Sequence, residues 1–375
     1  MMRYRVGEEN EMRLSVLALA LLGCRGDVEP GIEGLNLPDD PSVNGVPVGV
    51  RTVDYGGLTL EVWYPASDSD YTDPEILDLM DHAPASVLAL LPGLEVPPIT
   101  TTAFRDAPVR NLADPVPALI FSHGFGGMRT QSVDLTAHLA SRGYVVVATD
   151  HDGRDFDDVL PCLFSPPLDG CSMALEDPAP PDVDRLIDWL HSDTFLGDLP
   201  DPALLGLFGH SAGGGTSMTV ANEDSRVVAA LSMASEGSFE RDLPTMTMAG
   251  SCDAAVPIEG VEEELASGSD THYVRLEGAG HMAFSDLCAV DWVEIHDDHL
   301  ADRDDLNTFI VELMLALGTD GCPPHAPQVD SCDAFVEPAV SERVIRHYAT
   351  VFFDDALLGA GPGVEDGLFP EALAY

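Results

Sequence analysis

Leu204-Leu205-Gly206-Leu207-Phe208-Gly209-His210-Ser211-Ala212-Gly213-Gly214-Gly215 runs from an apolar strand through Gly-x-Ser-x-Gly into small residues able to open a helix. A strand-to-helix turn this tight holds its central residue strained and exposed, so Ser211 is the candidate nucleophile. Gly209 and Gly213 flank it where a Cβ would collide with the neighbouring backbone. The helix that follows would aim its N-terminal amides at an anion forming beside Ser211.

A serine hydroxyl needs a base, and the base needs a carboxylate to fix its tautomer. Both should lie in loops after later strands. Asp253 follows Thr245-Met246-Thr247-Met248-Ala249, and His281 follows Tyr273-Val274-Arg275-Leu276 in a glycine-rich loop, giving the order Ser, Asp, His. Glu236, in Ser235-Glu236-Gly237, competes with Asp253 for the acid role. A tetrahedral oxyanion needs backbone donors. His123-Gly124-Phe125-Gly126-Gly127 follows the apolar run 118–122, and the amides of Phe125 and Ala212 are the expected donors. His123, Gly124, His210 and Met282 are candidate pocket residues around them.

Outward from this centre, continuous apolar strands at 118–122, 144–149, 204–208, 227–233, 245–249 and 273–276 alternate with helices at 131–142, 182–189 and 303–317. Such strands are buried on both faces, which implies a mostly parallel sheet covered by helices on either side. Ahead of them, 48–53 and 58–64 alternate apolar and polar about the turn 54–57 and read as an antiparallel hairpin. Residues 66–115, with an apolar patch at 86–91, read as an insertion of part helix and part loop. Residues 341–358 read as a helical extension packed on the outside of a single domain spanning 48–375.

The 375 residues carry 65 acidic and 17 basic side chains, a net charge of −48, and every basic one is arginine. The acids are spread along the chain, so the surface repels nucleic acid and anionic membrane and tolerates itself best where salt screens it. This reads as adaptation to a saline habitat, with GC-rich coding as a partial alternative source of the missing lysine.

Leu14 to Leu22 is an apolar run of nine residues, too short to span a bilayer but suited to a signal segment. Leu21-Leu22-Gly23-Cys24 resembles a bacterial lipobox, with Cys24 as the acylated residue and Met12 as an alternative start. The expectation is a signal peptide over 1–24, a flexible Gly/Pro/Asp-rich tether over 25–47, and an exported lipoprotein of the cell envelope, at the outer membrane or cell surface. The lipid would be its only membrane contact. Six further cysteines in an oxidising compartment allow 15 pairings. Proximity suggests Cys162–Cys171 and Cys322–Cys332, leaving Cys252 with Cys288, a pair that would fasten the Asp253 loop to the His281 loop. Two buried free thiols at 252 and 288 are the competing possibility.

Val62-Trp63-Tyr64-Pro65-Ala66, Phe121-Ser122-His123-Gly124-Phe125-Gly126, Asp150-His151-Asp152-Gly153, Gly209-His210-Ser211-Ala212-Gly213-Gly214 and Gly280-His281 together resemble one branch of the α/β-hydrolases. That branch holds the platelet-activating-factor acetylhydrolase-like, dienelactone-hydrolase-like and polyester-hydrolase (cutinase-like) enzymes, and the resemblance covers about residues 48–317. His210 stands where polyester hydrolases commonly carry tryptophan, and Ser211 where dienelactone hydrolases proper carry cysteine. The resemblance implies a serine ester hydrolase on short-acyl, lipid or polyester-type esters, without cofactor, and a monomer is expected. A serine peptidase of the same fold and an inactive hydrolase-like binding module are the alternatives. The acidic runs 151–158 and 291–305 lack the spacing of a calcium loop, and no metal is expected.

Overall fold

The computed structural model describes Ile32 and residues 35–374, apart from 175, 193, 267–270, 302, 323–328, 330–331 and 361–362. The expected signal segment, its Cys24 and residues 25–31 therefore lie outside the described residues. The strands are β1 (Val48–Tyr55), β2 (Leu58–Pro65), β3 (Ile76–Leu77), β4 (Ile99–Thr100), β5 (Ala103–Arg105), β6 (Val116–Ser122), β7 (Val145–Thr149), β8 (Pro200–His210), β9 (Val227–Met233), β10 (Thr245–Gly250), β11 (His272–Leu276) and β12 (Ala372–Ala374). The helices are α1 (Ala85–Leu88), α2 (Val133–Ser141), α3 (Phe156–Val159), α4 (Ala179–Leu190), α5 (Ala212–Glu223), α6 (Ile258–Leu265), α7 (Trp292–His299), α8 (Thr308–Thr319) and α9 (Pro338–Leu358).

One sheet of ten strands runs β12-β11-β10-β9-β8-β6-β7-β2-β1-β5. From β7 through β11 the neighbours are parallel, while β1, β2 and β12 join antiparallel. The apolar runs are continuous because their alternate side chains enter two cores. In β6, Leu119 and Phe121 face the side packed by α2 and α9, whereas Ala118 and Ile120 face the side packed by α4 and α5. The same split divides Phe208 from Leu205 and Leu207 in β8. This is the α/β-hydrolase fold, with the elbow strand β8 at mid-sheet and its carboxyl end opening on the loops that carry the site.

Four expectations need correction. Residues 35–47 are no free tether: the carbonyls of Pro38 and Val43 accept from Arg142, and Pro41 O and Asn44 bond the buried His138 on α2. Helix α9 is not external, since Val344, Ile345, Tyr348, Phe352 and Phe353 are buried in the main core. The insertion adds β5 to the sheet edge beside β1, and β3 pairs with β4 in a small second sheet. The helix expected over 303–317 spans Thr308–Thr319, and a separate helix covers Trp292–His299.

The disulfides are Cys162–Cys171, Cys252–Cys332 and Cys288–Cys322. The first pairing is as expected, whereas Cys252–Cys288 and Cys322–Cys332 are not formed. The loops of Cys252 and Cys288 do approach each other, but each cysteine faces the segment after α8, which supplies a separate partner to each. Gly321 lies against Gly280, and Cys288 Sγ sits 3.7 Å from the carbonyl oxygen of Gly321.

Candidate active site

Ser211 caps β8 with φ 56° and ψ −124°, a left-handed strained conformation for a residue with a side chain. Its amide is held by the carbonyl of Met233, 2.8 Å away, and its carbonyl accepts from Gly214. A Cβ on Gly209 would overlap the carbonyl of Gly213, and one on Gly213 would overlap the carbonyl of Ser122. Glycine alone permits that approach, so the turn places the hydroxyl at the cleft.

His281 opens a short 3-10 turn after β11, and its Nε2 lies 3.0 Å from Ser211 Oγ. Its Nδ1 lies 2.9 Å from Asp253 Oδ2. Both His281 and Asp253 are buried. With Nδ1 donating to the carboxylate, Nε2 carries a lone pair and accepts from the serine hydroxyl. The other oxygen of Asp253 accepts from the amide of Val256 at 2.6 Å. Glu236, the competing acid, is exposed beside Gly260 at the start of α6.

The loop after β6 is held at nearly every polar point. Gly124 N donates to Gln131 Oε1 at 3.0 Å, Gly126 N to the carbonyl of Arg154, and Gly127 N to the carbonyl of Gly124. The Arg154 guanidinium binds the carbonyl of His123 and the carboxylate of Asp177. Among the described residues, no acceptor occupies the amides of Phe125 and Ala212. These are the two donors expected from the sequence.

The pocket expectations divide. Gly124, His210 and Met282 line a cleft of about 60 Å³ with Ser211, His281, Phe156 and Trp292. His123 does not: it is fully buried, its Nδ1 bonds the carbonyl of Gly124, and its Nε2 accepts from the amide of His151. Burial, with His151 and Arg154 adding to it, holds its pKa well below the ordinary histidine range. His210 is likewise kept neutral, mainly by burial and then by His281. Its Nε2 donates to the carbonyl of His281 at 2.9 Å and its Nδ1 accepts from Gln131 Nε2 at 2.7 Å.

Two residues of this site escaped the sequence reading. Gln131 ties the Gly124 amide to His210, and so ties the loop after β6 to the histidine loop. Asp320, at the end of α8, accepts from the amides of Ala254 and Ala255 beside Asp253, and its own carbonyl accepts from Met282 N beside His281. Burial pushes its carboxyl pKa up. Neither belongs to a motif, and only the packed loops show their role. Among the described residues, no group of three or more His, Cys, Asp or Glu side chains is placed to hold a metal ion.

A family model described as platelet-activating factor acetylhydrolase, isoform II, matches residues 57–157, and one described as alpha/beta hydrolase fold matches residues 117–240. A platelet-activating factor acetylhydrolase of Bos taurus is 29% identical over 103 residues, which are 25% of this chain and 23% of that protein. The chain thus matches less than a quarter of the length of that curated relative. The solved structure of a ferulic acid esterase from Streptomyces cinnamoneus superimposes with a TM-score of 0.59 at 23% identity, over 88% of this chain and 96% of that one. These likenesses agree with the α/β-hydrolase fold described above. Both family matches end before Asp253 and His281.

Proposed function

We propose that the chain is a serine carboxylic-ester hydrolase that works through an acyl-enzyme. The unbroken line Ser211 Oγ, His281 Nε2, His281 Nδ1, Asp253 Oδ2 carries this reading, with spacings of 3.0 and 2.9 Å. Ser211 Oγ attacks the ester carbonyl carbon as its proton passes to His281 Nε2. The amides of Phe125 and Ala212 hold the oxygen that becomes negative. His281 then gives the proton to the departing alcohol, and Asp253 stabilises the imidazolium between the two transfers. Water attacks the acyl-Ser211 carbonyl while His281 takes its proton, and the collapse returns Ser211 and releases the acid. The likeness to an acetylhydrolase and to an esterase supports an ester as substrate.

The test is turnover of p-nitrophenyl acetate by single variants. Ser211→Ala and His281→Ala each abolish it, Asp253→Asn lowers it by about 10⁴-fold, and Glu236→Gln leaves it near the parent value. Near-native turnover by Asp253→Asn with loss in Glu236→Gln would assign the acid to Glu236 instead.

We also propose export with lipid attachment at Cys24. Three disulfides support an oxidising compartment, and among the described residues no helix is long and apolar enough to cross a membrane. Substitution of Cys24 by serine abolishes palmitate incorporation on this reading; incorporation that persists contradicts it.

A further inference from the structure

Next to the Ser211 cleft lies a second cavity, of about 90 Å³, and Phe156 and Trp292 are walls of both. Its remaining lining comes from the insertion, with Leu79, Val87 and Leu91, and from the segment after α3 together with α7 and α8. The apolar patch at 86–91 thus covers this space. Trp292 lies flat on α8 because Gly318 has no side chain there; a Cβ would stand 2.7 Å from the indole ring.

The lining offers almost nothing polar. The Trp292 indole N–H donates to the carbonyl of Leu287, and His296 Nδ1 is engaged by Asp297. Among the described residues, every other lining side chain is hydrocarbon or thioether. The volume is several times the roughly 10–15 Å³ that one water needs, yet a water would lack its two to four polar partners. The space therefore suits hydrocarbon.

Building on the ester-hydrolase reading, we infer that this cavity is an acyl subsite, and that the preferred substrates are esters of unbranched aliphatic acids of medium length. The occupant is assigned to the acyl side because the acyl group stays on Ser211 through both half-reactions, whereas the alcohol must leave before water enters. A phenolic acyl group such as feruloyl would bury its hydroxyl and methoxy oxygens without partners and is disfavoured.

The experiment measures kcat/KM of the full chain on p-nitrophenyl esters from acetate to octanoate, on p-nitrophenyl ferulate, and on acetate esters of lengthening alcohols. An acyl subsite here gives about a fourfold gain per added acyl methylene up to about hexanoate, the equivalent of ~0.8 kcal/mol each. It gives little gain with alcohol length and a ferulate value below hexanoate. Ala83→Trp, which fills the cavity, should lower the hexanoate-to-acetate ratio at least tenfold. A flat acyl series, a gain confined to the alcohol series, or a ferulate value above hexanoate overturns the subsite while acetate turnover upholds the ester reading. No turnover of any ester overturns both.

Discussion

At the scale of single residues, the loop that follows the Asp-His motif carries a titratable group with a measurable signature. Asp155 caps α3, accepting from the amide of Asp158 at 2.9 Å, and burial pushes its pKa up to about 7. Between about pH 4 and 7 the folded chain keeps a proton that the unfolded chain has lost, so stability falls as pH rises through that window and is level above it. Asparagine caps a helix equally well and carries no charge. Asp155→Asn should therefore be more stable than the parent at pH 8, with the difference vanishing near pH 4. Unfolding in urea at both values checks this, and a difference that grows toward low pH would contradict it. The residues of the candidate site were legible in the sequence where local backbone chemistry demands them. Glycines around Ser211, and single loops after strands for Asp253 and His281, need only the chain order. His123 was misassigned because a histidine beside an oxyanion loop looks the same in sequence whether it faces the cleft or lies beneath it. Gln131 and Asp320 act through contacts between loops distant in sequence, which no local pattern announces.

At the scale of elements, Cys322 and Cys332, both after α8, fasten the two loops of the site. Cys332 holds Cys252 beside Asp253 across 80 residues, and Cys322 holds Cys288 near His281 across 34 residues. In the chain-entropy picture, loops of these lengths are each worth about 4 kcal/mol. Replacing either pair with alanines should lower the melting temperature and cut ester turnover, whereas removing Cys162–Cys171 should cost stability with less effect on turnover. Equal turnover in all three double variants would show that these two cysteines do not position the site. The buried strands were readable because both of their faces are apolar, so their runs stand out without periodicity. Strands β5 and β12 have three residues each, too few to show a period, and only their neighbours make them strands. Helix α7 was missed because none of its described side chains is buried, so no apolar stripe marks it. The 35–47 segment has a linker's composition, but its carbonyls are claimed by His138 and Arg142, acceptor choices that composition does not encode.

At the scale of the whole molecule, charge sets the conditions of stability. Most arginines among the described residues pair with carboxylates, as Arg105 does with Glu61 and Glu75, and Arg142 and Arg241 hold backbone carbonyls. With 65 acids against 17 arginines, the carboxylates far outnumber the cations that could neutralise them. The melting temperature should rise steeply with sodium chloride as the Debye length shrinks from about 10 Å to about 3 Å. A flat curve would remove salt adaptation and leave coding bias to explain the absent lysine. The fold brings one strained serine, one imidazole, one buried carboxylate and two vacant amides to a single cleft, and the central claim is that these act together in the native chain. Labelling with a fluorophosphonate tests it most directly, because the probe needs an activated serine and an oxyanion hole at once. Stoichiometric phosphonylation is expected on the peptide containing Ser211, absent in His281→Ala and lost on unfolding. A native protein that stays unlabelled, or is labelled at another residue, would contradict it.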